Sequence, residues 1–192
     1  MTRPRLPERG LARETRAEAR TAVTPDPYLD HMADPFDLDG PVLAESREFT
    51  VPPAHGGGWR PFGDALARLL TSATDEGLWW ATICLPEEVG NPAFAHLGPD
   101  EGGALYTEVA GDYYLPPAAR LSPDQWSKLR ELGWGDPVPD LSGDDEIQPR
   151  NHTRSWPMAD LRLAVEHVLG TLQVVYGFSE HDPVIVALDP FT

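Results

Sequence analysis

Two helices with their ends written into the chain constrain this sequence more than any other feature. Ser122-Pro123-Asp124-Gln125 opens the first. Ser is a good N-cap, because its oxygen accepts an orphan backbone N–H. Gln three residues on reaches back to the cap, and Pro has no N–H to waste in the first turn. Gly133 ends this helix, since the left-handed position after a helix suits a residue without Cβ. The second helix carries Leu161, Ala164, Val165, Val168, Leu169, Leu172 and Val175 as one apolar stripe before Gly177. Such a stripe has to be buried, and the strands upstream are expected to supply the layer that covers it.

Those strands are readable from composition. Phe62 to Ala73 forms a first body helix, with Phe62, Leu66, Leu69 and Leu70 on one side. Leu78 to Leu85 is β-branched and aromatic up to Pro86, which predicts a strand covered on both faces, with Cys84 as a small buried hydrophobe. Phe94 to Leu97 reads as a second strand with His96 toward solvent, and Ala104 to Val109 as a third. Sequential strands with short connections imply an antiparallel meander. Asn151 to Trp156 reads as a further strand before the last helix, and Pro183 to Leu188 as a candidate C-terminal one. The fold class is therefore α+β: a single domain, an antiparallel meander packed by helices in α-β-β-β-α-β-α order. Residues 59–192 are assigned to this domain.

Residues 1–58 are expected to be a flexible arm and linker. The first 23 alternate Arg, Glu and Ala with little to bury, and 24–58 are rich in Pro and Asp. Tyr28, Met32, Phe36 and Leu38 could pin part of this arm to the body, but a chain beginning near Val51 is expected to fold as well as the whole.

The net charge of −16 is unevenly spread, because residues 1–22 hold six arginines against three glutamates, net +3, and the rest carries −19. Such a body repels nucleic-acid phosphates and anionic membranes, so neither is an expected partner. Cys84 is the lone cysteine, which rules out an intrachain disulfide and a thiolate-rich metal site and suits a cytoplasmic location. No secretory signal or membrane-length apolar run is visible. The preference for Arg over Lys, with Lys128 the single lysine, is that of a high-G+C bacterial genome.

Chemistry-bearing patterns fail one by one. His55-Gly56-Gly57-Gly58 matches an oxyanion-hole loop, yet no serine stands in the G-x-S-x-G elbow that such a loop serves. The carboxylates between Gly135 and Arg150 lack the calcium-loop spacing, and the histidines show no helical zinc spacing. Asn151-His152-Thr153 is a sequon without a secretory context. Glu108, Asp160 and Glu166 could serve as acids or bases, but the sequence pairs them with nothing. No enzymatic activity, cofactor or metal is expected.

The order of elements resembles the fold of type III secretion chaperones such as CesT and of the YbjN family. Glu108 to Leu115 (E-V-A-G-D-Y-Y-L), L-G-W-x-x-P at 132–137, N-x-x-R-x-W at 151–156 and T-L-x-x-V-Y-G at 171–177 look like the actinobacterial TY-Chap group. The resemblance covers roughly 59–177. It implies a peptide-binding, chaperone-like protein without catalytic residues. Its candidate peptide-binding residues are Trp80, Trp134, Asn151, Arg154 and Trp156. The tryptophans would wall a groove, and Arg154 would offer a hydrogen-bonding fork to a peptide carbonyl or carboxylate. The same residues admit a structural reading: Trp134 clamped on its helix, Trp156 in the core, and Asn151 and Arg154 satisfying loop carbonyls. The expected partner is a protein or peptide client, with a homodimer also open. The alternative is an acidic immunity-type inhibitor of a basic toxin or nuclease, recognisable by a steep loss of association rate with salt.

Overall fold

The computed structural model describes Phe36 and residues 41–43, 45–52, 59–100, 102–137 and 151–190. The principal elements run β1 (Arg47–Val51), α1 (Arg60–Glu76), β2 (Trp79–Cys84), β3 (Phe94–Pro99), β4 (Ala104–Val109), α2 (Pro123–Glu131), β5 (His152–Pro157), α3 (Leu161–Val174) and β6 (Val184–Pro190). The HGGG loop and most of the acidic loop lie outside the described residues, as do Tyr28, Met32 and Leu38.

The strands form one antiparallel sheet in the order β1-β6-β2-β3-β4-β5. Its centre is the expected β2-β3-β4 meander. The candidate C-terminal strand is present as β6, inserted between β1 and β2.

The expected start of the body is corrected. β1 lies within the stretch read as linker and pairs along its length with β6, from Arg47 opposite Leu188 to Val51 opposite Val184. Phe36 is buried, with its ring 5.1 Å from Phe49 and 6.3 Å from Phe62. Glu76, at the end of α1, accepts the backbone N–H groups of Val42 and Leu43 at 2.8 and 2.7 Å. Residues Asp34–Thr192 form one unit. Proline content concealed this, because a short edge strand needs only alternate apolar residues, here Phe49 and Val51, and a partner that sequence periodicity cannot supply.

The helices close as their sequences predict. Gln125 N–H donates to Ser122 Oγ, and Ser122 N–H donates back to Gln125 Oε1 at 2.9 Å. At the other end Gly133 takes φ +82°, which lets Gly133 N–H reach Arg130 O and Trp134 N–H reach Leu129 O. α3 crosses β3, β4 and β5 on one face of the sheet with α1 packed beside it, and the end of α2 is tied to α3 by the Trp134–Thr171 hydrogen bond. The α3 stripe from Leu161 to Leu172 is buried there against Ala95, Leu97, Leu105 and Val109.

Among the described residues no helix packs on the other face. Trp79, Ala81 and Ile83 are fully buried toward the helices, whereas Trp80, Thr82 and Cys84 alternate onto the helix-free face and are half-buried. β2 is therefore not covered on both faces. Its outward residues look like core residues in sequence because an aromatic layer shields them, as described next.

Candidate functional site

Strand alternation decides which predicted site residues can meet. Trp134, Arg154 and Trp156 gather on the helix side around the end of α2, Trp80 stands on the opposite face, and Asn151, one residue before β5, has its side chain beside Glu108 of that opposite face. A single groove walled by Trp80, Trp134 and Trp156 is thus not formed.

Trp134, Asn151, Arg154 and Trp156 all bond to the fold. Trp134 is buried and donates from Nε1 to Thr171 Oγ1 at 2.9 Å, which clamps the end of α2 to α3. Asn151 Oδ1 accepts the Gly111 N–H at 2.9 Å. Arg154 donates from Nη1 to the Leu132 carbonyl at 2.7 Å, with Nη1 3.3 Å from His167 Nε2, and lies 4.0 Å over the Trp156 ring. Trp156 Nε1 donates to Thr107 Oγ1 at 3.2 Å. His167 sits between the Trp134 and Trp156 rings, and burial followed by the Arg154 charge pulls its pKa down to about 4. His152 is fully buried. Its Nδ1 donates to Gly135 O at 3.0 Å, Nε2 has no partner among the described residues, and burial lowers its pKa. The E-V-A-G-D-Y-Y-L stretch is tied in the same manner: Asp112 accepts the Leu121 N–H and Trp126 Nε1, and Tyr176 donates to Ala110 O at 2.6 Å.

The helix-free face is different. A row of rings crosses it: Tyr113, Tyr114, Phe94, His96, Trp80 and Tyr106 follow one another at centroid distances of 5.0, 5.9, 4.7, 5.3 and 5.9 Å. Trp80 and Tyr106 stack at 23° across Gly98, where a Cβ would lie 2.5 Å from the Trp80 ring. Tyr113 and Tyr114 are 52% and 44% exposed, which leaves one end of the row open to solvent. At its centre, Glu108 accepts from His96 Nδ1 at 2.8 Å and from the Tyr106 hydroxyl at 3.0 Å. Burial alone would raise the Glu108 carboxyl, but the hydrogen bond and charge of His96, with the Tyr106 bond, hold it below its ordinary value. Burial, and then the Glu108 charge, push the Tyr106 hydroxyl well up.

Sequence reading placed these strands but missed the row. The signal was there in the alternation Tyr106, Glu108 on β4 and Phe94, His96 on β3. Treating β2 as doubly covered hid it. Among the described residues no group of His, Cys, Asp and Glu is placed to hold a metal ion, and no helix is long and apolar enough to cross a membrane.

An antiparallel sheet backed by helices on one face, with an aromatic outer face, is an α+β fold. The family model described as "T3SS (YopN, CesT) and YbjN peptide-binding chaperone 3", TY-Chap3, matches residues 52–188, and the chain belongs to that family. No curated protein and no solved structure gave a significant match.

Proposed function

We propose that this protein is a peptide-binding, chaperone-like module that holds an extended client segment against the helix-free face of its sheet. One observation carries this reading: the ring row from Tyr113 to Tyr106, with no helix packed over it among the described residues. Aromatic side chains supply large contact area at low entropic cost, and an extended segment lying along the strands presents alternate side chains to them. Trp134, Arg154 and Trp156 serve this role only indirectly, by holding β5 and α2 in place behind the face. The lone Cys84 fits a reducing compartment such as the cytosol. No catalytic step is assigned.

The test is capture of peptides from a random library by the full chain, compared with a Trp80→Leu, Phe94→Ser double variant that keeps its melting temperature. Loss of capture in that variant, and retention in Leu163→Ser on the outer side of α3, is the expected result. Equal capture by all three proteins sinks the reading. If the chain instead bound a folded basic protein with an association rate falling steeply with salt, the immunity-type alternative would replace it.

A further inference from the structure

The outward strand positions of the helix-free face follow from the register: Glu48 and Thr50 on β1; Ile185, Ala187 and Asp189 on β6; Trp80, Thr82 and Cys84 on β2; Phe94, His96 and Gly98 on β3; Tyr106 and Glu108 on β4; Thr153 and Ser155 on β5. Three carboxylates stand among them, and no lysine or arginine does. Asp189 lies directly across the strand pair from Trp80, and Glu108 lies two residues along β4 from Tyr106. The stacked Trp80–Tyr106 pair is thus flanked by carboxylates on both sides. The arginines at the corresponding strand positions, Arg47 opposite Leu188 and Arg154 opposite Thr107, belong to the helix side.

Two physical terms on this face point the same way. An indole or phenol ring attracts a cation through its quadrupole. A carboxylate screened from water by neighbouring rings attracts it more strongly than an exposed one does. The side chain of Glu108 is only 16% exposed and keeps its charge through the bonds from His96 and Tyr106. Rings and charge together suit a guanidinium or ammonium group with its aliphatic stem laid on the aromatics.

We propose that the face selects extended client segments carrying arginine or lysine at alternate positions, with one cationic side chain seated on the Trp80–Tyr106 pair between Glu108 and Asp189. This rests on the reading of the face as the client site and adds the chemistry of the client.

The experiment pans a random nine-residue peptide library against the full chain in 0.15 M salt, in parallel with Glu108→Gln, Asp189→Asn, Trp80→Leu and Glu131→Gln. The last removes one charge from α2, away from the face. The most enriched peptide is then measured by fluorescence anisotropy with arginine and with citrulline, its neutral isostere. Arginine or lysine should be enriched at alternate positions, and citrulline should weaken binding roughly tenfold. That ratio should shrink in Glu108→Gln or Asp189→Asn and persist in Glu131→Gln. Enrichment of apolar peptides without basic residues, weakened by Trp80→Leu, overturns the cationic selection and leaves the face as the site. An arginine preference equally reduced in Glu131→Gln reduces it to the attraction of the whole acidic chain and overturns it too. Capture indifferent to Trp80→Leu, or no capture at all, overturns both readings.

Discussion

The Arg154 guanidinium reaches from β5 to the Leu132 carbonyl at the end of α2, 2.7 Å away, while its Cζ lies 4.0 Å from the centre of the Trp156 ring. Arg154 therefore satisfies a helix-terminal carbonyl that no intrahelical N–H can reach. Arg154→Ala should lower stability by about 2 kcal/mol, the worth of a charge-assisted hydrogen bond plus lost stacking, or roughly 4–8 °C in melting temperature. Peptide affinity of the folded protein should stay unchanged. An unaltered melt with weakened peptide binding would return Arg154 to the binding site.

Gly98 should not tolerate a side chain. A Cβ there would lie 2.5 Å from the Trp80 ring and 2.8 Å from the Trp79 carbonyl, and the backbone oxygen cannot swing away. Gly98→Ala is expected to cost about 1–3 kcal/mol and to break the Trp80–Tyr106 stack. Near-ultraviolet circular dichroism and a thermal melt read both effects; an unchanged aromatic spectrum would show that Trp80 has room to spare.

A chain beginning at Val51 should melt more than ~5 °C below the full chain, which reverses the expectation from sequence. It loses nearly all of β1, the buried Phe36 and the backbone groups that Glu76 accepts. Equal melting temperatures would mean that β6 does not need its edge partner.

Leu172 is fully buried on α3. Leu172→Asp exchanges apolar burial for a desolvated carboxylate, at a cost of about 5 kcal/mol or more, which is enough to unfold a typical domain. Circular dichroism at 25 °C should show the loss; a cooperative native melt would contradict the assigned core face.

His167 should make the fold acid-sensitive. Its folded pKa of about 4 lies below the ordinary value of 6.5, so the neutral ring is favoured by folding. That contribution is complete above pH 6.5, declines as the unfolded state takes up its proton, and is gone near pH 4. The ring is partly exposed, so a discounted ~1–2 kcal/mol is expected across this window. Urea titrations of wild type and His167→Gln at pH 7 and pH 4.5 should differ in slope by that amount; parallel pH dependence would remove His167 from the account.

Local chemistry alone determined a good part of this molecule. The Ser122–Gln125 cap, the Gly133 stop and the stripe from Leu161 to Leu172 were readable because each depends on residues within a turn or two of one another. The meander was readable because strands joined by short connections pair with their neighbours. Motif spacing carried the family for the same reason: order along the chain is itself a sequence property. Tertiary structure alone decided the rest. β1 and β6 become a sheet edge only by pairing residues at opposite ends of the chain, a contact that periodicity does not encode. The five residues proposed for one groove were parted by the sheet itself, since the helices cover one side and alternation sends Trp80 to the other. The Glu108 environment joins the side chains of His96, Tyr106 and Asn151 from three separate stretches of the chain, and Trp80 reaches Tyr106 only because Gly98, on the strand between them, has no Cβ. Which face is buried and which rings meet depends on register and on where the helices pack, and those are fixed by long-range burial.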